Sequence, residues 1–141
     1  MKLHLFDTDT LSLFRHGNPN VVAEARRVGR EHLAISVISV EEQLTGWYSL
    51  LRNTKRPEEI VIAYGQLAET VLFLSTLPIL PFSAEAAATL ADLRRQKIRI
   101  GTLDLRIASI ALVHDAVLVT RNRRHFGLVP GLTIEDWTAS E

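Results

Sequence analysis

Apolar residues along this chain fall into short runs separated by longer stretches with helical spacing. Leu3, Leu5 and Phe6 make the first run, which stops abruptly at Asp7 and Asp9, so a buried strand is predicted to end in acids. Leu33 to Ile38, with β-branched Ile35, Val37 and Ile38, predicts a second buried strand. Pro78 to Pro81 allows a very short third strand, Ala116 to Thr120 a fourth, and Leu132 to Ile134 a closing edge strand. Between them, Thr10 to Arg15 supplies a helical turn or two, and Asn18 with Pro19 starts a helix that runs to about Gly29. Ser39 and Glu42 have capping-box spacing, which places a helix start at Val40, with Val40, Leu44, Trp47 and Leu51 as its apolar stripe. Pro57 opens a long helix to about Leu77, Ser83 caps an Ala-rich helix to about Lys97, and a helix over Thr102 to Asp115 follows the Gly101 break. Asn122 to Phe126 reads as a polar, basic turn.

Short apolar strands alternating with helices predict a parallel sheet covered on both faces, in a doubly wound α/β fold. The 141 residues make one domain, 1–141, with room for a substantial core. The pair of helices over 40–77 also carries Val61, Ile62, Leu72 and Phe73 off its main stripe, more apolar surface than a helix with one solvated side requires. Either the domain itself covers that surface, or a second subunit or partner does.

Composition narrows the picture only in places. Sixteen basic side chains balance sixteen acidic ones, so net charge gives no reason to favour a polyanionic ligand, and only local basic patches could. Cysteine is absent, which excludes disulfides and thiolate metal sites. No apolar stretch approaches the roughly eighteen residues that span a bilayer, and the expectation is a soluble, cytoplasmic protein with no membrane partner.

Three acids occupy comparable places: Asp7 after the first strand, Glu42 in the first turn after the second, and Asp104 in the first turn after Gly101. Each has a structural reading, Asp7 as a helix cap, Glu42 as the partner of Ser39 in a capping box, and Asp104 as the complement of a helix dipole. Two details favour convergence instead. Thr45 and Gly46, small residues one turn past Glu42, leave room for another backbone, and Asp104 shares the inward stripe of Ile107, Ala108 and Ala111. Carboxylates brought together repel, and a divalent cation offsets that repulsion. An oxygen-only ligand set favours Mg²⁺ or Mn²⁺ over zinc, and the five histidines, 4, 16, 32, 114 and 125, show no metal-ligand spacing.

With these residues in place, the chain resembles a PIN-domain ribonuclease of the VapC type, the toxin of a VapBC toxin–antitoxin pair. The resemblance is carried by Phe-Asp-Thr-Asp-Thr-Leu at 6–11, Ile-Ser-Val-Ile-Ser-Val-Glu-Glu-Gln-Leu-Thr-Gly at 35–46, Ile-Gly-Thr-Leu-Asp-Leu-Arg-Ile-Ala at 100–108 and Leu-Val-Thr-Arg-Asn-Arg-Arg-His-Phe at 118–126. It implies a three-layer α/β/α fold with a short, mainly parallel central sheet and a protruding helical hairpin. It also implies Asp7, Glu42 and Asp104 as the catalytic, Mg²⁺- or Mn²⁺-binding acids of an endoribonuclease, an antitoxin received on the 40–77 hairpin, and a homodimer. Asp9, Thr120 and Asn122, with Arg121, Arg123 and Arg124, are the candidates for site wall or RNA contact, and Arg106 lies close to Asp104 in sequence. Two positions depart from the family pattern: Asn122 stands where a fourth acid is frequent, and His125 where an Asp often precedes the Phe. One cation held by three carboxylates therefore fits better than two. The competing readings are an interaction module whose acids are only caps, and a phosphoacceptor receiver; the latter lacks its Lys, since the fourth strand ends in Thr120-Arg121.

Overall fold

The computed structural model describes residues 1–139. Five strands, β1 (His4–Phe6), β2 (Leu33–Ser36), β3 (Ile79–Leu80), β4 (Val117–Val119) and β5 (Thr133–Glu135), form one sheet in the order β3-β2-β1-β4-β5, with every neighbouring pair parallel. Seven α-helices surround it among the described residues: α1 (Thr8–Arg15), α2 (Pro19–Val28), α3 (Val37–Asn53), α4 (Pro57–Leu74), α5 (Ala84–Arg95), α6 (Thr102–Val113) and α7 (Arg123–Phe126). The expected α/β/α layering with a parallel sheet is what the chain adopts.

The pleat separates two cores. Leu5 lies level with Ala34 and Leu118 on one face, packed with Leu90, Leu93, Ile107 and Ile110 from α5 and α6. Phe6, level with Ile35 and Val119, points to the other face, where Leu11, Val21, Leu74 and Trp137 enclose it. Because both faces are covered, the strands read as unbroken apolar runs without alternation. Strand order reverses at β1, between β2 and β4, and the crevice at such a reversal, beyond the carboxyl ends of the strands, is where open α/β sheets hold ligands.

Several boundaries differ from expectation. The second strand ends at Ser36, and α3 begins at Val37 with Ser36 as its cap, its hydroxyl accepting from the Ser39 amide at 3.2 Å. Ser39 is therefore inside the helix, and the Ser39–Glu42 capping box does not form. The basic segment after β4 contains one helical turn, α7, capped by Asn122. The edge strand is shifted by one residue to Thr133–Glu135.

One hydroxyl gathers three hydrogen bonds where the α3–α4 hairpin meets the body. Thr70 Oγ1 accepts from Arg15 Nη1 at 2.8 Å and from Trp47 Nε1 at 2.9 Å, and donates to the Gln66 carbonyl at 2.7 Å. Ala63 and Leu74 are buried, but the opposite face of α4 is open: Val61 is 71% exposed and Leu72 67%, with Ile62 and Tyr64 alongside, so the chain does not itself cover this apolar surface. Among the described residues no helix is long and apolar enough to cross a membrane.

Candidate active site

Asp7 sits at the strand-order reversal, where β1 turns into α1. Its amide donates to the Val119 carbonyl at 3.1 Å, continuing the β1–β4 ladder one residue past the strand. Its carboxylate caps α1, accepting from the Thr10 amide at 2.8 Å through Oδ1, and accepts from the Thr120 hydroxyl at 2.6 Å through Oδ2. Thr120 in turn accepts from the Asn122 amide at 3.0 Å. The capping reading of Asp7 is thus correct and incomplete: one oxygen serves the helix, and the other is fixed by the end of β4.

Glu42 projects from the first turns of α3 toward α1, and the Thr8 hydroxyl donates to its Oε1 at 2.6 Å. Thr8 Oγ1 also lies 2.9 Å from Ser39 Oγ, so α1 and α3 are joined behind the carboxylate. Asp104 enters from the first turn of α6, whose Ile107, Ala108 and Ala111 are buried in the core beneath it. Asp7, Glu42 and Asp104 line one cavity of about 380 Å³ with Thr8, Asp9, Arg121, Asn122 and Phe126.

All three carboxyls are pushed above the usual carboxylate range, in each case first by burial. For Asp7 the Thr120 and Thr10 hydrogen bonds work against burial. Glu42 is raised by burial and, against the Thr8 bond, by the charges of Asp104 and Asp7. Asp104 is raised by burial and by Asp7, while His125 lowers it. Among the described residues none of the three has a salt-bridge partner. Negative charge is collected here, and among the described residues only the nearby His125 and Arg121 offset it, without an ion pair to any of the three.

The remaining candidates divide. Asp9 lines the cavity, but its carboxylate is held by Arg121, with Nε at 2.7 Å and Nη2 at 3.0 Å, an exposed bidentate pair. Thr120 lies buried behind Asp7. Asn122 lines the cavity while its carbonyl oxygen accepts from the His125 amide at 3.3 Å and its amide group lies 3.1 Å from His125 Nδ1. Arg123 lines a different cavity, beside Glu24, Arg27 and Asp136, and Arg124 is exposed outside the carboxylate cavity. Sequence reasoning passed over Thr8 and Thr10. Their signal was present in the Asp-Thr-Asp-Thr run, where each acid is followed by a hydroxyl that is also a backbone donor.

Among the sequence families, the PIN domain matches residues 5–131. The chain belongs to the PIN-domain family. It is 29% identical over 137 residues to the tRNA(fMet)-specific endonuclease VapC of Salmonella typhimurium, covering 94% of this chain and 96% of that one. It is 40% identical over 70 residues to the ribonuclease VapC2 of Rickettsia felis, covering 47% of this chain and 52% of the relative. Among solved structures it is similar to the DNA-bound VapBC complex of Salmonella typhimurium, with a TM-score of 0.74 and 29% identity over 97% of this chain and 99% of that one. The promoter-bound VapBC2 complex of Rickettsia felis gives a TM-score of 0.73 at 27% identity, covering 96% of this chain and 98% of the other.

The site of this PIN domain suits a hard divalent cation by its chemistry: three carboxylates lining one cavity, no thiolate, and among the described residues no salt bridge to any of the three. Among the described residues, however, no three acidic or imidazole groups already stand close enough to grip one ion together. Glu42 is held by the Thr8 hydroxyl at 2.6 Å. Asn122 supplies no fourth charge because an amide is neutral, and its carbonyl oxygen is engaged in capping α7.

Proposed function

We propose that this chain is a metal-dependent endoribonuclease that acts as the toxin of a toxin–antitoxin pair in the cytoplasm, as one PIN-like unit over 1–141. The observation that carries the reading is the collection of Asp7, Glu42 and Asp104, raised and unpaired, in one cavity at the reversal of strand order. The likeness to proteins named VapC ribonucleases, along nearly the whole chain, supports it.

In this reading Asp7, Glu42 and Asp104 hold Mg²⁺ or Mn²⁺, which supplies Lewis acidity toward a phosphodiester oxygen. The chain's own work is positioning. Thr120 and the Thr10 amide fix both oxygens of Asp7, so that this carboxylate is oriented before substrate arrives. Thr8 holds Glu42 through Oε1 at the same cavity, and Glu42 would serve the ion through its other carboxylate oxygen. Arg121 stands at the cavity wall as the nearest cation for the RNA backbone, masked by Asp9.

The partners follow from the open hairpin. Its exposed Val61, Ile62, Tyr64 and Leu72 suit an apolar protein face, and the solved relatives named VapBC are complexes of toxin with antitoxin. We assign this hairpin to the cognate antitoxin, and the toxin itself to a homodimer.

Expression of the chain with and without its antitoxin tests the reading. Growth arrest with loss of specific RNA species, rescued by the antitoxin and abolished by Asp104→Asn, is the expected result. Arrest that persists unchanged in Asp104→Asn contradicts it and returns the molecule to a binding module.

A further inference from the structure

A second depression opens beside the carboxylate cavity, on the outer face of α3. It is about 430 Å³ in volume and is lined by Glu42, Gln43, Gly46, Trp47 and Leu50. Glu42 lines both cavities, so the depression adjoins the carboxylate cavity at that residue. Its floor is a glycine in the interior of a helix, where glycine weakens the helix relative to alanine. Nothing in the fold calls for it: Gly46 is not in a left-handed conformation, and a Cβ built there meets no atom within 4 Å. The expectation that Gly46 admits another backbone of this chain is therefore not met. What its missing side chain leaves is open space next to Glu42.

The wall is equally specific. Trp47 is half-buried, and its indole N–H is already committed to Thr70 at 2.9 Å, which fixes the plane of the ring. With that donor occupied, the indole offers the depression only π-surface and ring edge. Leu50, about half exposed, also lines the depression, and Gln43 is anchored to Ser12 Oγ at 2.9 Å. A flat, partly apolar slot with a fixed aromatic wall, one helical turn from the acids, matches an unpaired nucleobase, which binds aromatic side chains through its faces.

Resting on the endoribonuclease reading, we propose that this slot holds a base of the RNA substrate adjacent to the phosphodiester positioned at the acids, with Gly46 and Trp47 as its floor and wall. Gly46 and Trp47 are then determinants of substrate binding and of preference at that nucleotide, and take no part in the chemistry. RNA rather than protein is favoured because the slot adjoins the carboxylate cavity at Glu42, and because the largest group of exposed apolar residues, Val61, Ile62, Tyr64, Val71 and Leu72, lies on α4, with Tyr48 and Leu50 about half exposed on α3.

The test compares wild type, Gly46→Ala, Gly46→Leu and Trp47→Phe on a single-stranded oligoribonucleotide in Mg²⁺ or Mn²⁺, with thermal unfolding and antitoxin binding recorded for each. A matched oligonucleotide lacking the base next to the cleaved bond is included. Gly46→Leu is expected to unfold no earlier than wild type, because a better helix former replaces glycine in open space. Its KM should rise about tenfold, the loss of one stacked base, while kcat changes less than about twofold. On the abasic substrate, wild type and Gly46→Leu should have the same KM. Gly46→Ala should lie between, and Trp47→Phe, which keeps a ring, should lose less than Gly46→Leu. Wild-type cleavage with an unchanged KM in Gly46→Leu overturns the slot and leaves the nuclease reading standing. So does a Gly46→Leu variant whose only defect is in antitoxin binding or oligomeric state. A wild-type chain that cleaves no RNA with either cation overturns both.

Discussion

The Thr120 hydroxyl donates to Asp7 Oδ2 across 2.6 Å, joining the ends of two neighbouring parallel strands at the point where strand order reverses. Both residues are buried, and the same hydroxyl accepts from the Asn122 amide, so one oxygen fixes an acid of the candidate site and the start of the basic segment. Thr120→Val keeps the shape and removes both bonds. It should destabilise the metal-free protein by about 1–3 kcal/mol in denaturant unfolding, the cost of stranding a buried partner. Because the lost bond favours the ionised carboxylate, Asp7 should titrate higher still, and the acidic limb of the pH–rate profile should move upward. Thr120→Ser should restore both. An unchanged profile in Thr120→Val would remove Thr120 from the site.

Stability should fall as pH rises across the titration of the three acids. Asp7, Glu42 and Asp104 are raised in the folded chain, first by burial, so the folded state binds their protons more tightly than the unfolded state does. The stability contributed by the protonated forms is fully present below the ordinary carboxylate range, near about 4, and is lost as pH climbs through the raised values. In metal-free buffer at neutral pH, Asp104→Asn should therefore be at least as stable as wild type, by no more than about 1 kcal/mol because Asp104 is partly solvated. Its stability should also depend less steeply on pH. Thermal unfolding from pH 4 to pH 8 measures this, and a clear loss of stability in Asp104→Asn at pH 7 contradicts it.

The Asp9–Arg121 pair should restrain RNA binding. Asp9→Asn removes the carboxylate that engages both Nε and Nη2, leaving the guanidinium available to a phosphate. Measured with Asp104→Asn in the same chain to block cleavage, Asp9→Asn should bind single-stranded RNA more tightly. The slope of log K against log salt should steepen by about 0.7, one additional phosphate contact. Unchanged affinity and slope would show that Arg121 meets no phosphate.

The open face of α4 should be separable from the fold. Ile62 and Leu72 are largely exposed, so Ile62→Lys and Leu72→Lys should alter stability by no more than about 0.5 kcal/mol. If the antitoxin docks there, affinity should fall at least about tenfold. Co-expression would then no longer rescue growth. Full rescue by both variants places the antitoxin elsewhere.

What the sequence disclosed, and what it concealed, follows from the range of the interactions involved. The abrupt change from Phe6 to Asp7 marked the end of β1 because Asp is a helix cap, and here it accepts from the Thr10 amide at the start of α1. The end of β2 was hidden by the same chemistry. Val37 and Ile38 are as β-branched as the strand before them, and only the Ser36 hydroxyl, one of two serines with cap spacing, decides where α3 starts. Local rules assigned Glu42 to a capping box, whereas the fold turns it onto Thr8, which is distant in sequence and carries no signal of the pairing. Asp104 was readable because its helix stripe faces inward. That Arg123 turns toward Asp136 rather than the acids depends on α7, a single turn too short to have a period.

The proposal that three carboxylates share one cation is tested most directly by calorimetric titration of the metal-free protein with Mn²⁺, alongside its thermal unfolding. Binding of one ion per chain is expected, with an unfolding temperature that rises with Mn²⁺ concentration, and with both effects lost in Asp104→Asn and in Glu42→Gln. Absence of Mn²⁺ and Mg²⁺ binding by the wild-type chain, or the same binding in Asp104→Asn and Glu42→Gln as in wild type, would contradict the account.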